Sequence, residues 1–302
     1  SAAASLAGKT GSRPPSFSST MPPAKFADLG KAAADLLSKD FGVGKNTVEL
    51  KTKAPDSVTF TTNGSHKFGG AADASVQAEC KPYGGLLVKG KIDTAGVTTT
   101  TVEADGHLAK GLKLICTAGT PPLDKSGLLA SASGGFEYAG PMVTALGSYD
   151  YLKGAATCSA VTAYACSSGG VGLNYDVAKG ALKGYTAKLA YTMPTYSVTG
   201  TCNADGKGKL DYACSLFHVV GPDMSVAAEV GIADSKTRLA AVASWAIDKE
   251  ATAKAKLDSC SMLGLSYKRK LSKSTTLTVA GCFDLNLDAS KTKTGIALAL
   301  AP

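Results

Sequence analysis

No stretch of this 302-residue chain approaches the roughly 18–20 consecutive apolar residues of a membrane-spanning helix. Helical spans are excluded. A transmembrane barrel is not, because its apolar residues alternate. Charge is scarce, with 19% charged against 44% hydrophobic residues. The three histidines, His66, His107 and His218, are scattered. No Gly-rich phosphate loop opens a helix and no nucleophile elbow is present, so no enzyme is expected. Eight cysteines occur without a C-x-x-C pair and without zinc spacing to histidine. In a long chain with no secretory leader they are expected as free thiols on strands. Neither metal nor cofactor is expected. The net charge is +8, yet the lysines form no block of the kind that grips nucleic acid. They fit a solvated basic surface, or a basic concave surface that attracts anions by its field.

What the chain does contain is one amphipathic helix and a long series of strands. Phe26, Leu29, Ala33 and Leu36 recur at helical period, with Asp28, Lys31 and Asp35 on another side. Gly42 and Gly44 stop the pattern, so one helix is expected over 26–42. Residues 1–20 are Ser- and Ala-rich, with Lys9 and Arg13 but no acid. They read as a disordered or targeting-like extension before Met21. The expected organisation is an extension at 1–20, a helix with a glycine hinge at 21–44, and a β-domain at 45–302.

The strands show period-2 alternation. Tyr185, Ala187, Leu189 and Tyr191 oppose Thr186, Lys188 and Ala190. Leu239, Ala241, Ala243 and Trp245 oppose Ala240, Val242 and Ser244, and Lys254 and Lys256 oppose Ala253, Ala255 and Leu257. Leu277, Val279, Phe283, Leu285 and Leu287 face away from Thr278, Cys282 and Asp284. Leu108, Leu112 and Leu114 oppose Ala109, Gly111 and Lys113. Turn signals stand at Asn63-Gly64, Asp105-Gly106, Asp205-Gly206, Gly221–Asp223 and Ala233–Lys236, with a polar turn from Asp288. No crossover helix separates the strands, so the sheet is antiparallel. The apolar face is rich in Ala and medium-sized residues. The other carries Lys, Asp, Thr and Ser in strand after strand. A membrane barrel turns such an apolar face to lipid and such a polar face to water, and in lipid it must close to satisfy its edges.

Three stretches resemble the eukaryotic mitochondrial porins, the voltage-dependent anion channels. The first is Phe26-Ala-Asp-Leu-Gly-Lys through Phe41-Gly-Val-Gly44, followed by Leu50-Lys-Thr-Lys53. The second is Leu108-Ala-Lys-Gly-Leu-Lys-Leu114, similar to the family's nucleotide-associated Gly-Leu-Lys motif. The third runs from Trp245-Ala-Ile-Asp248 through Ala255-Lys-Leu-Asp258 to Leu263-Gly-Leu-Ser-Tyr267. The resemblance implies an all-β, closed transmembrane barrel of about 19 strands with the helix in the lumen. It also implies a mitochondrial outer-membrane location, voltage gating and passage of ATP, ADP and phosphate. The implied partners are membrane lipid, anions and nucleotides in transit, other copies of the chain, or other outer-membrane proteins, but no nucleic acid. Lys31, Lys39 and Lys113 are the implied lumen cations, Gly111, Leu112 and Lys113 the nucleotide motif, and Gly42 and Gly44 the helix hinge. Ala34 replaces a basic residue common in the family, and Gln77 stands at the place of a lipid-facing glutamate. A protein-import pore and a barrel kept as a structural subunit are the alternatives.

Overall fold

The computed structural model describes residues 22–54, 57–122, 129–234, 236–286 and 292–301. The 1–20 extension, Met21, Leu287, the turn from Asp288 and Ser235 lie outside the described residues. Nineteen strands form one sheet. They are β1 Lys45–Lys53, β2 Thr59–Lys67, β3 Ala72–Tyr83, β4 Leu86–Asp93, β5 Thr98–Asp105, β6 Leu112–Thr120, β7 Ser131–Ala139, β8 Val143–Asp150, β9 Ala155–Tyr164 and β10 Ser167–Asp176. The circuit continues with β11 Ala181–Thr192, β12 Tyr196–Asp205, β13 Leu210–Val219, β14 Met224–Ala233, β15 Lys236–Ala246, β16 Ala251–Asp258, β17 Met262–Lys270, β18 Thr275–Asp284 and β19 Lys293–Leu300. Each strand pairs antiparallel with the next, and β1 closes on β19 in parallel, Val48 opposite Leu298. An up-and-down meander with an odd strand count can close in no other sense, because its first and last strands run the same way.

The register sorts the side chains. Val48, Val76, Ile92, Val171, Leu189, Leu239, Trp245, Leu257, Val279 and Ile296 stand on the outer face and are largely exposed, the apolar surface a membrane barrel turns to lipid. In the bodies of the described strands that face carries no carboxylate and no lysine. Arg269, His66 and His218 reach it only near strand ends. The polar positions face inward. At one rim Asp93, Asp150, Asp176, Asp205, Asp258 and Asp284 end their strands. Each carboxylate accepts backbone N–H groups of the turn that follows, an Asx device that fixes a tight turn.

Four expectations are corrected. The single helix over 26–42 is two pieces: a 3-10 turn, Phe26–Asp28, and an α-helix, α1, Lys31–Ser38. Gly30 separates them at φ +78, a left-handed conformation that only glycine adopts cheaply. Asn63-Gly64 is no turn but lies inside β2, with Gly64 opposite Val48 and Ala74. The strand expected from Leu108 begins at Leu112; Leu108–Gly111 belong to the preceding turn. Gln77 is not lipid-facing. It pairs in register with Thr61 and Lys91 and alternates with the outward Val76.

Candidate pore and its charged wall

The N-terminal segment lies against the inner wall and follows it from β7–β8 to β16–β17. Thr144 Oγ1 on β8 donates to the Pro23 carbonyl at 2.6 Å, and Lys25 pairs with Glu137 on β7 at 2.6 Å. The Phe26 ring occupies a seat made by Gly170 and Gly172 of β10. A Cβ at either would stand 2.8 or 3.0 Å from the ring, so bare backbone is what admits the aromatic there. Lys188 of β11 covers the other side, 4.9 Å from the ring centre, close enough for a cation–π contact. Its ammonium also donates to the Phe26 and Leu29 carbonyls at 3.4 and 3.3 Å. Leu29 is buried against Val161 and Ala190.

α1 uses its apolar stripe next. Ala33, Leu36 and Leu37 are buried on Ala227 and Val242, with Phe217, Ala240 and Phe41 beside them. Small inward residues on β14 and β15 are what allow a helix to lie this close. The polar side of α1 faces the open lumen. Lys31 pairs with Asp28 at 3.0 Å and Lys39 with Asp35 at 2.7 Å, one turn apart in each case. The Asp28 hydrogen bond holds the Lys31 ammonium above the usual lysine value, so it is charged throughout the neutral range.

Lys113 faces inward from β6 and is bound to Glu103, which also takes Lys89 at 2.7 Å. All three lysines singled out in the sequence are therefore half of an ion pair. Leu112 takes the outward position beside Lys113, and Gly111 closes the preceding turn at φ +79 with its carbonyl accepting from the Ala139 N–H. Gly44, at φ +77, donates its N–H to the Thr294 carbonyl and accepts from Phe68. Gly42 lies between α1 and that anchored residue.

Sequence reasoning placed Lys188, Lys254 and Lys256 on the polar face but did not single them out. They reach the N-terminal segment from the wall, as does Lys268 of β17, which contacts Asp40. Lys256 donates to the Leu37 carbonyl at 3.0 Å, and Lys254 pairs with Asp40 at 2.6 Å. Among the described residues no carboxylate lies within ion-pair distance of Lys188 or Lys256. The usable signal was a lysine in the middle of a strand at inward parity, where it must meet water or another element.

This geometry is that of a porin: a closed barrel, an outer face without lysine or carboxylate in the bodies of the described strands, and a charged inner wall with a segment laid against it. A profile of the eukaryotic porin family matches residues 22–295. The chain belongs to the eukaryotic porin family. It is 29% identical to a Candida albicans mitochondrial outer membrane protein porin, over 93% of this chain and 100% of that one. It is 29% identical to the Xenopus laevis non-selective voltage-gated ion channel VDAC2, over 92% and 99%. It is 28% identical to a Drosophila melanogaster voltage-dependent anion-selective channel, over 93% and 99%. Among solved structures, a Rhodopseudomonas blastica porin mutant superposes with a TM-score of 0.51 at 8% identity, over 85% of this chain and 98% of that one. At that identity the likeness is one of fold alone, a closed β-barrel.

Proposed function

We propose that this eukaryotic porin is a diffusion channel of the mitochondrial outer membrane that passes small anions and metabolites, ATP, ADP and phosphate among them, with weak anion selectivity and voltage gating. The observation that carries this reading is the sorting of charge. The outer face is apolar, while lysines and carboxylates alike point inward around a segment that lies against the wall and leaves its own lysines exposed. Anions need no pocket in such a channel. Excess positive charge on the wall raises their local concentration, and salt confines each charge to about 8 Å at physiological strength. Many Lys–carboxylate pairs line the wall, so selectivity is a small residue of near-balanced fields. The relatives' names supply voltage gating and the mitochondrial outer membrane. An inward-facing lysine-rich wall favours metabolites over a peptide-conducting or purely structural barrel.

The test is transport. Liposomes loaded with ATP and a large dextran are reconstituted with the full chain. ATP escapes within the mixing time while the dextran stays, and empty liposomes retain both. Retention of ATP by folded, inserted protein contradicts the proposal.

A further inference from the structure

Asp40 follows α1 at φ +72, the position and conformation that usually fall to glycine after a helix. An aspartate tolerates it better than most residues, but at a cost that its surroundings must offset. Two lysines from adjacent strands bind its carboxylate, and a third holds the chain beside it. Lys254 Nζ donates to Asp40 Oδ2 at 2.6 Å and to the Lys39 carbonyl at 3.4 Å. Lys268 Nζ donates to Asp40 Oδ1 at 3.3 Å. Lys256 holds the Leu37 carbonyl and stands 6.0 Å from the centre of the Phe41 ring. Directly across from Lys254 in the register is Ser266, which is 6% exposed. Its hydroxyl oxygen has no hydrogen-bond partner among the described residues. Three ammonium groups thus surround one carboxylate and two carbonyls, with a buried hydroxyl left over.

That donor set suits a chain of phosphates better than a single carboxylate. Phosphate oxygens are more numerous and more charged, and each ammonium can meet one as a point charge. We propose that Lys254, Lys256 and Lys268 form a polyphosphate cradle whose resting occupant is Asp40. A polyphosphate passing through the lumen takes those lysines, displaces Asp40 and frees the C-terminal end of α1 from the wall. The inference rests on the channel reading above. Lys91, Glu49, Asp73 and Asp93 face the same cavity as Asp40 and Lys268, and the Asp35–Lys39 pair stands one helical turn away. Their carboxylates oppose the incoming anion, so the cradle holds it loosely, as transit demands.

The full chain in lipid nanodiscs provides the test, with inorganic tripolyphosphate as probe. Calorimetry reads its affinity, and amide hydrogen exchange reads residues 31–41. In the wild type, millimolar tripolyphosphate should speed exchange across 31–41. Asp40→Asn should exchange fast without the anion. It should also bind tripolyphosphate about tenfold more tightly, the factor for a cradle free of its internal ligand about one-tenth of the time. The Lys254→Gln/Lys268→Gln variant should lose binding by at least that factor and show no response. ATP should act as tripolyphosphate does. Unchanged wild-type exchange, unchanged affinity in Asp40→Asn, or a response to ATP alone each overturns the cradle. Should those tests fail in a barrel that still carries anion current, the channel reading stands. A barrel that carries no anion current sinks the channel reading, whatever the calorimetry shows.

Discussion

At the scale of single residues, charge in the lumen has to be counted in pairs. Lys31 with Asp28 and Lys39 with Asp35 are each near-neutral units, whereas Lys113 shares Glu103 with Lys89, so that group keeps one net positive charge. Lys188 spends its ammonium on two carbonyls and an aromatic face, so its charge remains as a net field. The double change Asp28→Asn/Lys31→Gln should therefore leave the reversal potential under a salt gradient almost unmoved. Lys188→Gln should move it toward the cation side, as should Lys31→Gln alone, which exposes the Asp28 carboxylate. A double variant that shifts as far as Lys188→Gln would refute this pairwise account. The sequence made the inward parity of Lys188 legible, because Tyr185, Ala187 and Leu189 alternate around it. It could not show the glycine seat for Phe26, because Phe26, Gly170 and Gly172 lie far apart along the chain.

At the scale of elements, α1 is a short helix held by its ends. Eight residues are too few to be stable alone in water. Burial of Ala33, Leu36 and Leu37 and the capping of its last carbonyls by wall lysines supply what propensity lacks. Asp40 adds a tie to two wall lysines, Lys254 and Lys268. Burial pushes its carboxyl up, but the hydrogen bonds and charges of Lys254 and Lys268 outweigh that and leave it below the usual carboxylate range. The folded state thus favours the charged form. Its contribution is fully present above the unfolded-state pKa and is lost as pH falls through the lower, folded one. Asp40→Asn should lower the thermal midpoint at pH 7 by the equivalent of roughly 1.5–3 kcal/mol, the range for hydrogen bonds to charged groups. The gap to wild type should hold from pH 7 to about 5 and close under more acid conditions, below the usual range for aspartate. A gap still open well below that range would contradict the assignment. The helical period of Phe26, Leu29, Ala33 and Leu36 announced this element. Its break at Gly30 and its latch at Asp40 did not show, because the first is a backbone angle and the second depends on partners more than two hundred residues away.

At the scale of the whole molecule, the alternation of single strands was legible and narrowed the architecture. A face of Val, Leu and Ala opposed to one of Lys, Asp and Thr suits either a soluble sheet with its apolar face packed inward or a barrel with lipid outside and water inside, and the Ala-rich, aromatic-poor apolar face favours the barrel. What the alternation could not supply was the count. Nineteen strands, and with them the parallel seam of β1 on β19, depend on where each turn falls. Asn63-Gly64 shows that a turn dipeptide can sit in mid-strand. The central claim is that this barrel is an open, weakly anion-selective and voltage-gated pore. Its most direct test is single-channel recording of the refolded chain in a planar bilayer under a potassium chloride gradient. The account predicts a large conductance at low voltage, a reversal potential displaced slightly toward that of chloride, and a fall to lower-conducting states as voltage rises in either direction. Electrical silence from folded, inserted protein, or a reversal potential at the potassium value, would contradict it.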